Sequence, residues 1–441
     1  MRLIYNLLFT LFFVLAAPFY FLKMWRRGGW AKGFGQRFGR FDLHIMQRIT
    51  NRHVIWLHAV SVGEVNLCTQ LIAALEPRVP NLKIVVSTTT STGMAELHKK
   101  LPSHILKVYY PIDRAACVRR TLSKFHVMAV VLIEAEIWPN FLWQLRDRGI
   151  PVFLVNARLS AKSFRGYQRF GWLFRPLFAS FAGVGVQNAE DAERVIQVGC
   201  RPQAVHTVGN LKFDAIKLDE RHPINVGAML RQLHVATDAQ VIIGGSTHAG
   251  EEAILAEQYV RLKKKFPKLF LVIVPRHFER AREVAKELQR HGLKITMRTE
   301  VVTSRDFKED LDCLLVNSTG ELRYFYEHAS VIFVGKSLTA EGGQNPIEPG
   351  ALGKAMVFGP NMQNFEAIAK AFVSRGGARQ VKNAAELETT FEELLGSEAK
   401  RQELGRYAVE VVRENRGGID RTVDMIVDKL DHEDLYVTPL G

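Results

Sequence analysis

The sequence predicts an α/β protein: two Rossmann-like, doubly wound domains facing a cleft, behind an N-terminal membrane anchor helix. Three observations carry that expectation. Short apolar runs alternate with amphipathic stretches from residue 53 to about 208, and strand–helix alternation of this kind builds a parallel sheet covered on both faces. The rhythm lapses through a polar stretch at 216–235 and restarts at 240. Residues 3–22 form an almost unbroken apolar run. A length of 441 residues, 47% apolar and 24% charged, suits two or three folded domains.

The apolar run, LIYNLLFTLFFVLAAPFYFL, would be about 30 Å long as a helix, the thickness of a bilayer core. Lys23, Arg26, Arg27, Lys32, Arg37 and Arg40 follow it, and only Arg2 precedes it. The positive-inside rule places the long body in the cytoplasm behind a single N-terminal anchor. A cleaved signal peptide would have a shorter run and a small-residue cleavage site, whereas Ala16-Ala17 is followed by Pro18 and more apolar residues. Whether the segment spans the bilayer or lies partly in its interface is open from sequence. The expected organisation is an anchor at 1–25, a first domain at 26–215, a linker at 216–235, a second domain with closing helices at 236–430, and a tail at 431–441.

Charge divides unevenly. Residues 1–220 carry 29 Lys and Arg against 14 Asp and Glu, a net of +15; the remainder carries 30 against 31. The basic surplus of the first half implies an anionic partner, either a membrane surface, a phosphorylated lipid or nucleic acid. Cys68, Cys117, Cys200 and Cys313 are scattered, with no CxxC pair and no zinc spacing, so a disulfide framework or structural zinc is not expected.

Strands are expected at 53–60, 83–89, 106–110, 127–133, 151–155, 183–186 and 205–208, with helices between them at 64–76, 139–148 and 189–198. The second domain reads as strands at 240–244, 269–274, 312–316, 331–335 and 355–358, then a helix-rich stretch at 383–430. Parallel sheets place ligand loops at the carboxyl ends of their strands, so the turns there are the candidate sites, and with two such domains the cleft between them is the default location.

In the first domain, HAVSVGE (58–64) follows a strand. Glu64 either takes a proton from a hydroxyl or completes a capping box with Ser61. EAEIWP (134–139) puts Glu134 and Glu136 at a strand end, where carboxylates serve either chemistry or the dipole of the next helix. GNLKFD (209–214) presents Lys212 near the domain junction, between apolar Leu211 and Phe213. In the second domain, GGSTH (244–248) precedes a helix and suits either a phosphate contact or a cap by Ser246 or Thr247. It is neither a P-loop nor GxGxxG. Pro275-Arg276, the turn 317–322 and the Gly/Pro-rich turn 342–350 also follow strands. Arg276 suits a nucleotide phosphate, and Glu348 suits ribose hydroxyls. The stretch 158–175 mixes five cations with Phe, Tyr and Trp. It fits a membrane or lipid-phosphate surface, or nucleic acid, but no nucleic-acid motif occurs.

Taken together and in order, HAVSVGE, EAEIWP, NARLSAKSFRGY, GNLKFD, GGSTHAGEE, VPRHFER, STGEL and GGQNPIEP resemble the bacterial 3-deoxy-D-manno-octulosonic acid (Kdo) transferases of lipopolysaccharide assembly, from the anchor to about residue 425. The resemblance implies a GT-B fold and inverting transfer of Kdo from CMP-Kdo to a lipid A precursor, lipid IVA, at the inner membrane. It implies no metal or other cofactor and no nucleic-acid partner. Carried across by motif, Glu64 is the general base and Glu134 and Lys212 support the transition state. Pro275, Arg276, Thr319, Gly320, Glu321, Asn345, Pro346, Ile347 and Glu348 hold CMP. Asn317-Ser318-Thr319 and Gln344 depart from the family's usual run. The rival readings are another GT-B nucleotide-sugar transferase or epimerase, and a non-catalytic module binding anionic lipid.

Overall fold

A computed structural model describes residues 1–26, 31–134, 136–214, 224–302, 307 and 310–430, without the side chains of Lys23 and Met24. Arg27, linker residues 216–223 and the tail 431–441 lie outside the described residues. The chain divides into two compact units: Met1–Ala215 with the returning segment from Arg416, and Ile216–Asn415.

The first unit is built on seven strands: β1 (His53–His58), β2 (Lys83–Thr88), β3 (Leu106–Tyr109), β4 (His126–Ile133), β5 (Val152–Ala157), β6 (Gly183–Val186) and β7 (Val205–Thr207). All pairings are parallel, in the order β3-β2-β1-β4-β5-β6-β7. Val, Ile and Leu runs suit these strands because both faces are buried. Successive residues point to opposite faces, so Trp56 enters one core with Phe141 and Phe178, and Leu57 enters the other with Val65 and Leu71. The winding reverses between β1 and β4, and such a switch point opens a crevice at the carboxyl ends of the flanking strands.

The second unit repeats the plan with β8 (Val241–Thr247), β9 (Phe270–Pro275), β10 (Ile295–Met297), β11 (Cys313–Leu315), β12 (Val331–Val334), β13 (Met356–Phe358) and β14 (Arg379–Gln380). Their order is β10-β11-β9-β8-β12-β13-β14, so the switch lies between β8 and β12. β10 and β14 have no counterpart in the sequence reading. They are edge strands of three and two residues, too short to make an apolar run. The stretch read as linker contains the helix Val226–Gln232, capped by Asn225, whose side chain accepts from the Ala228 N–H at 2.8 Å.

The helix Gly418–Val427 corrects the expected domain boundary. The sequence reading closed the second domain at 430, but this helix belongs to the first unit. Ile419, Val423 and Ile426 join Val65 and Leu71 in one core. Asp214 holds its start: its two carboxylate oxygens accept from Gly417 N–H at 2.7 Å and Ile419 N–H at 2.8 Å. Arg421 donates to the Val208 carbonyl at 2.7 Å. Asp214→Ala leaves two N–H groups without an acceptor and is expected to cost about 1–3 kcal/mol. Hydrogen exchange checks it: amides of 418–427 should lose protection before those of β1 and β4.

Among the described residues, one helix, Arg2–Arg26, holds a stretch, Arg2–Leu22, long and apolar enough by composition to cross a membrane.

Candidate active site

The switch point of the first unit gathers ionisable groups from four loops. Beyond β1, Ser61 caps the helix Val62–Leu75 and accepts from the Glu64 N–H at 3.2 Å. The Glu64 carboxylate reaches back and accepts from Val60 N–H at 2.8 Å and Ser61 N–H at 3.3 Å. The capping box is therefore present, and it fixes a carboxylate that is 8% exposed at the positive end of a helix. Each oxygen so engaged keeps a second acceptor site.

Glu134 follows β4 with φ at 64°, a left-handed conformation that is rare and strained for a glutamate. Its N–H is bonded to the Val155 carbonyl on β5 at 2.9 Å, which holds it there. Burial raises the Glu134 pKa, and the neighbouring Glu64 and Glu136 carboxylates raise it too, while Lys212 and Arg158 oppose the rise. Burial also raises Glu136, countered by the Trp138 indole N–H donated at 2.8 Å; Glu64 adds to the rise. Glu64, Glu134, Glu136, Lys212 and Arg158 thus feel one another's charge in one place. Lys212 sits on the short turn Leu211–Phe213, which is pinned because Leu211 and Phe213 are buried and the Lys212 N–H is accepted by Asn210 at 3.0 Å. Arg158 was legible only as part of a basic stretch. Its position just past β5 is the signal that would have found it.

In the second unit, Pro275 ends β9, and Arg276 follows it with an exposed side chain and its N–H bonded to the Thr247 carbonyl at 3.0 Å. Asn345 accepts from the Ile347 N–H at 3.1 Å at the start of the helix Ile347–Ala351, with Pro346 at its cap. Burial raises the Glu348 carboxyl; Arg323, the Asn345 amide and Arg276 pull it back. The structure therefore brings Arg276, Asn345 and Glu348 together and adds Arg323, whose Nε is buried without a hydrogen-bond partner. Thr319 and Gly320 are exposed beyond β11; Gly320 has φ at 83° with open space over its Cα. The Glu321 carboxylate is already engaged by the Ser318 hydroxyl at 2.6 Å and by Arg298 at 3.0 Å.

The GGSTHAGEE stretch works differently from its sequence reading. Gly250, not Ser246 or Thr247, occupies the cap of Glu251–Lys263, and it makes no side-chain bond. Glu251 is fully buried and accepts four backbone N–H groups: His248 at 2.9 Å, Lys336 at 2.7 Å, Ser337 at 2.9 Å and Leu338 at 3.0 Å. It ties the loop after β8 to the loop after β12, the two strands that flank the switch. Gly335 allows that approach, since a Cβ there would lie 2.4 Å from the Ser246 carbonyl oxygen. Glu252 holds Thr247 at 3.0 Å and Arg280 at 2.9 Å. Among the described residues, no group of three or more His, Cys, Asp or Glu is arranged to hold a metal.

A family model described as 3-deoxy-D-manno-octulosonic-acid transferase (kdotransferase) matches residues 32–215. A 3-deoxy-D-manno-octulosonic acid transferase of Haemophilus influenzae is 32% identical over 380 residues, 86% of this chain and 87% of the relative. One of Bordetella pertussis is 33% identical over 433 residues, 94% of this chain and 97% of the relative. A UDP-GlcNAc 2-epimerase from Neisseria meningitidis superposes with a TM-score of 0.56 at 16% identity, covering 85% of this chain and 98% of its own. That likeness shows the fold, two doubly wound domains of the GT-B class. With relatives at this identity and coverage, the chain is a glycosyltransferase. More particularly, the chain belongs to the 3-deoxy-D-manno-octulosonic acid (Kdo) transferase family.

Proposed function

We propose that this protein moves Kdo from CMP-Kdo to a lipid A precursor, lipid IVA, with inversion, while attached by its N-terminal helix to the cytoplasmic side of the inner membrane. The observation that carries the chemistry is the charge cluster of Glu64, Glu134, Glu136, Lys212 and Arg158 at the first switch point. Glu64 accepts the acceptor hydroxyl's proton as that oxygen forms its bond to the anomeric carbon. The bond from that carbon to the CMP phosphate oxygen breaks, and CMP departs with the electron pair. Lys212 offsets the negative charge gathering on CMP, and Glu134 supports the transition state and holds Lys212 in place. The capping box that binds Glu64 keeps its carboxylate pointed before substrate arrives.

The second unit supplies the donor contacts. Pro275-Arg276 and the turn Asn345 to Glu348 meet CMP, with Glu348 accepting from ribose hydroxyls and Arg276 meeting phosphate. Because Glu321 is occupied by Arg298 and Ser318, the Thr319–Gly320–Glu321 turn contributes its backbone, and the open face of Gly320 lets a ligand approach. The basic segments near 26–40 and 158–175 meet acceptor phosphates and the membrane. Donor choice is tested by thermal denaturation with nucleotides. CMP is expected to raise the melting temperature where UDP at equal concentration does not, and Arg276→Ala is expected to weaken CMP about 10–100-fold. A UDP shift without a CMP shift would move the assignment to another nucleotide-sugar enzyme.

The carboxylate cluster also sets a pH dependence. Burial, with the neighbouring carboxylates, favours the protonated form of Glu134 and Glu136, so the acid limb that Glu134 sets in the rate profile should lie above that of an exposed glutamate. Glu136→Gln removes a like charge beside Glu134 and should move that limb to lower pH. Lys212→Gln removes an opposite charge and should move it higher. A kcat/KM profile across the acid range reads both shifts.

A further inference from the structure

The apolar helix Arg2–Arg26 is tied to the first unit at both ends. At its start Arg2 makes two hydrogen bonds to the Asp147 carboxylate, at 2.6 and 2.7 Å, and its guanidinium lies 5.5 Å from the Trp143 ring centre. Tyr5 donates to Asp113 at 2.7 Å and meets Trp143 edge-on. Asn6 and Asn140 exchange amide hydrogen bonds at 3.2 and 3.0 Å. Asp113 is itself held by the N–H groups of Asn140 at 3.0 Å and Phe141 at 2.9 Å, so these contacts land on fixed core structure. Near the other end, Phe21 packs edge-on against Phe34. Phe34 opens the short turn Phe34–Phe38, where Gln36 accepts from Tyr109 N–H at 2.8 Å and the Arg37 carbonyl accepts from Ile112 N–H at 2.8 Å.

Exposure along the helix agrees with this fixing. Tyr5, Asn6, Phe9, Thr10, Phe13, Ala16 and Ala17 are partly shielded and recur at helical spacing. Leu3, Leu7, Leu11 and Leu15, four residues apart, form an open stripe, from 59% to 82% exposed. Ile4, Leu8 and Phe12 line an apolar groove with Phe170 and Trp172, which are also exposed. Beside it, Trp172 shares a pocket of about 430 Å³ with Arg169 and Arg175.

A helix of 25 residues is about 37 Å long, more than the roughly 30 Å of a hydrocarbon core. Were it to span, its ends would lie on opposite faces of the bilayer, yet both ends are fastened to one folded body. We infer that the helix lies along the membrane interface, with both ends on the side of the body. The occupant of its open face is an anionic lipid bilayer: the leucine stripe, Phe170 and Trp172 enter the acyl boundary, and Arg169 and Arg175 meet lipid phosphates. The net of +15 over residues 1–220 gives the matching charge. The inference rests on the membrane attachment proposed above.

The four native cysteines are all buried, so an introduced thiol reports alone. One variant of the full chain carries a Ser-Cys-Gly extension at the N-terminus, and a second carries Lys400→Cys on the body. Spheroplasts of expressing cells are treated with a membrane-impermeant maleimide before and after lysis. Both thiols are expected to react only after lysis. Reaction of the N-terminal thiol in intact spheroplasts, with Lys400→Cys still protected, would establish a spanning helix and overturn the in-plane arrangement alone. Recovery of folded protein in the soluble fraction would overturn the attachment and the inference together. Independently, a short thiol crosslinker applied to membranes of an R2C/D147C variant should join the two sites, so that fragments stay linked after proteolysis between them. Folded, membrane-bound protein without that link would also overturn the arrangement.

Discussion

Glu64→Gln is expected to lower the transfer rate about 10²–10⁴-fold while leaving the fold intact. The substitution separates the two roles that geometry gives this residue. A glutamine at the third position of the helix keeps one oxygen, which can still accept from the Val60 N–H. It gives up only the longer 3.3 Å contact to the Ser61 N–H, so the helix start persists and stability should change by about 1 kcal/mol or less. What the amide loses is the ability to take a proton. A large rate loss with an unchanged denaturation midpoint therefore assigns Glu64 to the chemistry. A midpoint that falls in step with the rate would assign it to the cap. Ser61→Ala provides the contrast: it removes the hydroxyl that accepts from the Glu64 N–H at 3.2 Å, and it should cost about 1 kcal/mol of stability with a smaller rate effect.

Glu251→Ala is expected to destabilise the second unit by about 3–5 kcal/mol, a large share of a domain's usual stability. The carboxylate accepts four backbone N–H groups in a fully buried position, and alanine would leave all four without an acceptor in a dry interior. Urea denaturation followed by near-ultraviolet circular dichroism measures the loss. Because the same carboxylate joins the loops after β8 and β12, CMP affinity should fall even under conditions where the variant remains folded. Glu251→Gln keeps one acceptor oxygen and should recover part of both losses. Equal stability of wild type and Glu251→Ala would remove the carboxylate from its place as a tie.

Much of the fold was legible because its strands are buried on both faces. Runs such as VMAVVLI can be satisfied only inside a covered parallel sheet, and the observed β4 differs from its sequence reading by a single residue at its start. What escaped was set by distant contacts. The return helix Gly418–Val427 reads like the helices before it. Its place in the first unit depends on Asp214, more than two hundred residues earlier, and on a core shared with Val65 and Leu71. The edge strands β10 and β14 carry too few apolar residues to signal themselves.

The candidate site was partly legible for the same physical reason. Strand ends in a doubly wound sheet present ligand loops, and that rule led to Glu64, Glu134, Lys212, Arg276 and Glu348. Arg323 was missed because it lies on a five-residue helix, Leu322–Tyr326, with no motif of its own. GGSTH read as either a phosphate contact or a cap by Ser246 or Thr247, and the acidic pair after it, Glu251 and Glu252, carried no signal of its own. Those carboxylates bind the protein's own backbone and Arg280, a use that for Glu251 depends on a loop some 85 residues away.

Mass spectrometry of the reaction product is the most direct measurement. The full chain, solubilised in detergent, is incubated with CMP-Kdo generated in situ and a tetra-acylated, bisphosphorylated lipid A precursor. The expected result is a lipid heavier by one or more Kdo units, absent with Glu64→Gln, and the mass counts the sugars added. Unchanged lipid in the presence of folded wild-type protein and intact CMP-Kdo would contradict the proposed transfer.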